Sequence, residues 1–285
     1  MRFLNFRQGD QHGLAVADGP DFRGLLTTDA NFPGSLQTLI AQRSDALKHA
    51  ANALRNGPVI DLAKITYLPP LENPGRIWCI GLNYVDHSTE SGFAVPTYPA
   101  IFSRFASSMI GHGAPIVRPK VSTQLDYEGE LVAVIGKSGR YIAKENALEH
   151  VAGYSICNDA SIRDYQFKSA QWIMGKNFDD TGPFGPVFVS ADELPPGAAG
   201  LRIQTRLNGT IVQDASTSSL IFDVATLVSM LSEAVCMQPG DVIVTGTPSG
   251  VGLARKPPLW MKHGDVCEVE IEKIGILSNP VRDEP

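Results

Sequence analysis

Two carboxylates stand two residues apart in Asp126-Tyr127-Glu128-Gly129-Glu130-Leu131-Val132-Ala133-Val134-Ile135-Gly136. The apolar run predicts a strand, and the period of two puts Glu128 and Glu130 on the same face as Val132 and Val134. Like charges roughly 6 to 7 Å apart on such a face repel by about 2.5 kcal/mol at an effective dielectric near 20, and desolvation adds to that cost. A cation should therefore sit between them, unless the pair lies on a solvated face among lysines. Asp159 ends a second apolar run, Gly153-Tyr154-Ser155-Ile156-Cys157-Asn158, and offers a third carboxylate. Its alternative use is to cap the turn that leads to Arg163 and Asp164. Three hard oxygen donors without His or Cys ligands suit Mg²⁺ or Mn²⁺, with water and substrate oxygens completing an octahedron.

Three further features could act beside such a site. His87 and Glu90 are three residues apart, so a helical turn would place imidazole and carboxylate side by side, as a base and its orienter. The same spacing is common on exposed helices. Lys176 sits in Gln171-Trp172-Ile173-Met174-Gly175-Lys176-Asn177-Phe178-Asp179, an aromatic and apolar setting in which an ammonium could neutralise an enolate or a substrate carboxylate. The competing reading is a surface lysine with its stem on Trp172 or Phe178. Finally, Pro239 to Gly252 reads as a strand running into a Gly-rich loop whose amides could approach a ligand closely. The loop lacks the Lys-Ser/Thr of a phosphate-binding loop and the helix of a dinucleotide fingerprint, and no G-x-S-x-G is present.

The elements that must position these residues are mostly strands. Arg2 to Phe6 and Gly13 to Val16 predict a hairpin. Candidate strands recur at Ile77 to Ile80, Leu131 to Ile135, Val187 to Val189, Leu201 to Leu207, Val242 to Val244 and Val266 to Ile271. Helical spacing of apolar residues predicts one helix over Ser35 to Leu54, stopped by Asn56-Gly57-Pro58, and another over Asp223 to Ala234 with Asp223 as its cap. Strands without alternating helices predict an α+β, predominantly β chain, a sandwich or roll. Pro69-Pro70 and Asn73-Pro74-Gly75 mark a boundary, giving a small N-terminal domain, 1–72, and a main domain, 73–285.

Composition limits the function classes. The 285 residues are 43% hydrophobic, enough for a substantial core, and carry a formal charge of -6 with no basic stripe, which disfavours a nucleic-acid partner. No apolar run approaches membrane-spanning length and the first ten residues hold no apolar signal core, so a soluble cytoplasmic protein is expected. The four cysteines are widely spaced and fit free thiols.

Taken as a set, these stretches resemble the fumarylacetoacetate hydrolase family over nearly all of residues 75 to 285. The resemblance rests on Gly81-Leu82-Asn83-Tyr84 with His87 and Glu90, Asp126 to Leu131, Gly153-Tyr154 with Asn158-Asp159 and Arg163-Asp164-Tyr165-Gln166, Lys176 to Asp179, and Thr245 to Gly252. Residues 1 to 72 look like the variable N-terminal domain of many bacterial members. The resemblance implies a mixed β-sandwich roll, a homodimer, and Mg²⁺ or Mn²⁺ on Glu128, Glu130 and Asp159. It also implies that His87, oriented by Glu90, activates water for cleavage of a carbon-carbon bond in an acylpyruvate, fumarylpyruvate or other 2,4-dioxo acid, with a metal-stabilised enolate leaving. Lys176 would hold charge on that substrate, and Gln166 with the Gly246-Thr247 loop would position it, with Tyr84 and Arg163 as further contacts. Arg104 stands where many relatives have a lysine near the site entrance, and its planar fork would favour an acidic tail. Residues 84 to 96 are expected to act as a lid. The alternatives are oxaloacetate decarboxylation or dioxo-acid isomerisation at the same metal site, and a non-catalytic metal- or ligand-binding protein.

Overall fold

The computed structural model describes residues 1–42, 45–86 and 96–285. One large mixed sheet runs through the chain. From one edge its order is Asp21–Leu26, Gln11–Asp18, Arg2–Gln8, Gly182–Ser190, Val151–Asn158, Gly129–Ile135, Val242–Val244, Ile77–Gly81 and Ala100–Ser103. A second sheet of five strands is ordered Thr210–Ser216, Arg202–Leu207, Val266–Ile271, Gly275–Asp283 and Ile116–Arg118. The predominantly β fold agrees with the sequence expectation, because the Val- and Ile-rich runs bury both faces of their strands. The N-terminal hairpin is present and joins the same sheet, Arg2–Gln8 pairing antiparallel with Gly182–Ser190.

All seven residues of Gly129–Ile135 are buried, and alternation sends them to two cores. Leu131, Ala133 and Ile135 pack with Ile203, Val269 and Ile271 of the second sheet and with Leu227, Val228 and Leu231 of the helix Val224–Ala234. Val132 and Val134 pack on the other side with Phe3, Val16, Leu36, Leu39 and Leu54. At Gly129 the two sheets pack closely: a β-carbon there would fall 2.3 Å from Thr205 Oγ1. The helix starts as predicted, with Asp223 Oδ1 accepting from Thr226 N at 2.7 Å.

One expectation is corrected. The helix read over Ser35 to Leu54 is two, Leu36–Ile40 and Ala46–Arg55. Between Ala41 and Ala46 the sequence has only polar side chains, so it offers no apolar residue to carry the buried stripe across, and short helices depend on such burial. Among the described residues no helix is long and apolar enough to cross a membrane.

Sheet register creates the site. Val244 pairs with Cys79 in parallel and with Val132 in antiparallel register, while Gly129 faces Asn158 and Glu130 faces Cys157. The chain segments leaving these strands, Gly81-Leu82, Gly246-Thr247, Glu128 and Asp159, therefore gather at one end of the sheet. Two short helices, Arg163–Gln166 and Ile173–Lys176, lie beside that end.

Candidate active site

The three carboxylates singled out by sequence converge. One oxygen from each of Glu128, Glu130 and Asp159 lies within 4.8 Å of the others, and all three residues are buried. At 4.8 Å each like-charge pair repels by about 3.5 kcal/mol at an effective dielectric near 20. The cation demanded by that repulsion is Lys176, 1% exposed, whose Nζ donates to Glu128 Oε2 at 2.5 Å, Asp159 Oδ2 at 2.6 Å and the Asp159 carbonyl at 3.0 Å. Burial works against the ammonium, but the Asp159 and Glu128 charges win and raise its pKa above the ordinary lysine value. Lys176 is therefore held protonated and serves as a donor rather than a base.

Each carboxylate is also held from behind by one oxygen. Arg163 Nη2 lies 2.7 Å from Glu128 Oε1 as an ion contact. The Gly246 amide donates to Glu130 Oε2 at 2.5 Å. Arg104 Nη1 donates to Asp159 Oδ1 at 2.7 Å. Burial, then the charges of Asp159 and Glu128, push the Glu130 carboxyl well above the usual carboxylate range. With Asp126, which Arg163 Nε contacts at 2.8 Å, the cluster holds four carboxylates against three cations. Hard oxygens and mutual repulsion fit a divalent cation at Glu128, Glu130 and Asp159, whose charge would favour the ionised form of Glu130.

The site opens on a cavity of about 340 Å³, with Gln166 and Thr247 beside the charged cluster and Ile80, Leu82, Phe102, Phe167, Trp172 and Leu253 supplying apolar lining. Arg163 Nη1 donates to Gln166 Oε1 at 2.8 Å, which fixes the amide so that its NH₂ is the group available to a ligand. Thr247 Oγ1 is engaged by protein, donating to the Gly129 carbonyl and accepting from Gln213.

Three expected substrate contacts are placed differently. Arg104 is not at the entrance: it is 2% exposed, and its nitrogens are spent on Ser108, Asp159, Ala160 and Thr181. It acts on Asp159, because a buried fork among fixed acceptors cannot reach a ligand. Gly246 turns its N–H to Glu130. Its φ is +107°, and a β-carbon would fall 2.7 Å from Asn83 Cβ, so glycine is needed for that close approach. Tyr84 is 1% exposed and absent from the cavity lining, and its hydroxyl has no hydrogen-bond partner among the described residues. Burial, reinforced by the Glu130 charge, raises that phenol above its ordinary value. His87, Glu90 and most of the expected lid lie outside the described residues.

Several residues that hold the site carry no chemical signature in the sequence. Asp126 accepts from the amides of Gly252 and Leu253 as well as pairing with Arg163. Asn83, fully buried, donates to the Phe222 and Thr245 carbonyls and accepts from Phe222 N. Gln213 accepts from Gly129 N and Thr205 and donates to Thr247 and the Pro248 carbonyl, tying the carboxylate strand to the Gly-rich loop. Asn83 and Asp126 lie in stretches that carry the family resemblance, whereas Gln213 lies in none of them.

The fumarylacetoacetate (FAA) hydrolase C-terminal family model matches residues 76–282. The chain belongs to the fumarylacetoacetate hydrolase family. It is similar to a mitochondrial oxaloacetate tautomerase of Xenopus laevis, 41% identical over 99% of this chain and 90% of that protein. Among solved structures it is similar to fumarylacetoacetate hydrolase of Exiguobacterium antarcticum, 36% identical with a TM-score of 0.87 and full coverage of both chains. It is also similar to maleylpyruvate hydrolase of a Sphingobium species in complex with manganese(II) and pyruvate, 26% identical with a TM-score of 0.82 and full coverage of both chains. The family thus contains both isomerising and hydrolysing enzymes. The Xenopus relative's mitochondrial name overturns the expectation of a cytoplasmic protein. That expectation rested on a missing apolar signal core, and mitochondrial import uses amphipathic, Arg-rich leaders instead.

Proposed function

We propose that this chain is a keto-enol tautomerase of a small 2-oxo acid, with oxaloacetate as the substrate to test first. The observation that carries the reading is the position of Lys176 Nζ, 2.5 Å from Glu128 Oε2 and 2.6 Å from Asp159 Oδ2, within a buried carboxylate triad at the wall of a small cavity. Support comes also from the full-length similarity to a protein named oxaloacetate tautomerase. Mg²⁺ or Mn²⁺ would be held by Glu128, Glu130 and Asp159 and would polarise the 2-oxo group as a Lewis acid.

The chain's own residues then divide the work. Lys176, at the cavity wall, would exchange one of its three protein acceptors for the oxygen on which enolate charge develops. Gln166 offers its NH₂ to the substrate carboxylate in an orientation set by Arg163. His87, oriented by Glu90, is the proposed base that moves the C3 proton. The apolar lining keeps water from the enolate, which matters because tautomerisation needs only a proton shift and no water attack.

Hydrolysis of an acylpyruvate is the second reading, favoured by the similarity to the Sphingobium maleylpyruvate hydrolase. Purified protein with Mn²⁺ or Mg²⁺, and with EDTA, is mixed with enol oxaloacetate and, separately, with acylpyruvates. Decay of enol absorbance and release of pyruvate are followed together. Metal-dependent enol decay of oxaloacetate with no excess pyruvate supports the tautomerase. Stoichiometric pyruvate from acylpyruvates, with no effect on oxaloacetate equilibration, would replace it by the hydrolase.

A further inference from the structure

The cavity's cations are Arg163 and Lys176 among the described residues, and both are already paired with the carboxylate cluster. Beside Lys176 the lining becomes apolar and aromatic. The Phe102 ring centroid lies 5.1 Å from Lys176 Nζ, and Trp172 meets Phe102 edge-on at 5.6 Å between centroids. Trp172 also lies tight on the backbone: a β-carbon at Gly81 would fall 2.3 Å from Trp172 Cζ3, so only glycine admits the indole there. The next residue, Leu82, is held at a φ of +57°, a region that costs a non-glycine residue free energy and persists where the surroundings impose it. A close-approach glycine, a strained leucine and two crossed rings thus form one wall adjoining the ammonium.

From this wall we infer that the site also takes 2-oxo acids whose C3 substituent is aromatic, and that Trp172, Phe102 and Leu82 set that preference. The inference rests on the tautomerase reading and extends its substrate class. The acid and 2-oxo group occupy the charged end, and the C3 substituent lies on the rings. Its enol is planar and conjugated with the aryl group, a shape that offset or edge contacts with Phe102 and Trp172 accommodate. The step balances as a proton shift: the C3–H bond breaks, its electron pair forms the C2=C3 double bond, and the 2-oxo oxygen gains a proton. No other reactant is consumed.

The test compares phenylpyruvate with oxaloacetate as probes, using the metal-loaded full chain, its Trp172→Ala and Trp172→Phe variants, and Phe102→Leu in case the first fails to fold. Enol decay gives kcat/KM for each substrate, and quenching of intrinsic fluorescence gives binding of phenylpyruvate independently of turnover. The expected result is turnover of both substrates by the unmodified chain. The phenylpyruvate-to-oxaloacetate ratio then falls about tenfold to a hundredfold in Trp172→Ala, the scale of removing one large apolar contact, and recovers largely in Trp172→Phe. Turnover of oxaloacetate with neither turnover nor binding of phenylpyruvate overturns the aromatic preference and leaves the tautomerase. An unchanged ratio in the wall variants also overturns it. Saturable phenylpyruvate binding without turnover of either compound supports the wall and removes the tautomerase reading; neither binding nor turnover removes both.

Discussion

Replacing Arg104 with methionine removes the guanidinium that holds Asp159 from behind. Nη1 donates to Asp159 Oδ1 at 2.7 Å and to the Ala160 carbonyl at 3.1 Å, Nε to Ser108 Oγ at 3.2 Å, and Nη2 to Thr181 Oγ1 at 2.9 Å. The two ion-paired side chains are 0% and 1% exposed. At 2.7 Å and an effective dielectric near 20 the gross attraction is about 6 kcal/mol. Both ions have lost their hydration and Asp159 keeps Lys176 on its other oxygen at 2.6 Å, so the net cost of removing Arg104 is smaller, about 3 kcal/mol, most of it from the Oδ1 side of the carboxylate left without a donor. That origin makes the deficit conditional. Urea unfolding in EDTA should show the full loss, while saturating Mn²⁺ should recover part of it, because Asp159 then faces a divalent charge. Arg104→Lys keeps the charge but not the fork, and should fall between wild type and Arg104→Met. A methionine variant as stable as wild type in EDTA would refute the pairing argument, and an equal deficit with and without Mn²⁺ would separate Asp159 from the metal.

Other expectations follow from the same geometry. Glu128→Ala removes one of three oxygen donors, so titration calorimetry should show Mn²⁺ affinity lower by at least about a hundredfold, beyond the loss typical of an outer partner. His87→Ala should leave Mn²⁺ binding intact while turnover drops by about two to four orders of magnitude, as for loss of a general base; unchanged turnover would exclude this base. Asp223→Ala should cost about 1 kcal/mol by removing the helix cap. Burial alone would raise the Asp223 pKa, but bonds from Thr226 and the nearby Lys144 lower it below the ordinary 3.8. Its folded pKa being depressed, the cap's contribution is present above that ordinary value and disappears as pH falls through the folded pKa. The stability gap between wild type and variant, measured by urea unfolding, should therefore be constant near neutral pH and close in acid.

Local pattern made the strands, the capped helix and the carboxylates readable. Val242 to Val244 and Val266 to Ile271 have the same bounds in sequence and structure, because a short Val- and Ile-rich run between turn residues has few other uses. Glu128, Glu130 and Asp159 could be picked out because acids inside or at the ends of apolar runs are costly to bury alone. The supporting network was not readable in the same way. Asn83 bonds to Thr245 across 162 positions and Gln213 to Thr247 across 34, and nothing in a lone Asn or Gln distinguishes such a residue from a solvated one. Arg104 illustrates the same limit. Its type and its position near the site were legible, but the direction of its fork depends on where Ser108, Asp159 and Thr181 come to rest. The break between Ile40 and Ala46 was hidden because Ile40, Leu47 and Leu54 keep one helical phase across it.

The central claim is that this site moves a proton at C3 of a 2-oxo acid without breaking a carbon-carbon bond. Proton NMR of oxaloacetate in deuterium oxide, with the Mn²⁺- or Mg²⁺-loaded enzyme removed before spectra are recorded, reads both events in one sample. Enzyme-dependent loss of the C3 proton signal, abolished by EDTA, is expected, with pyruvate no higher than in the enzyme-free control. Pyruvate formation that outpaces deuterium incorporation at C3 would contradict it.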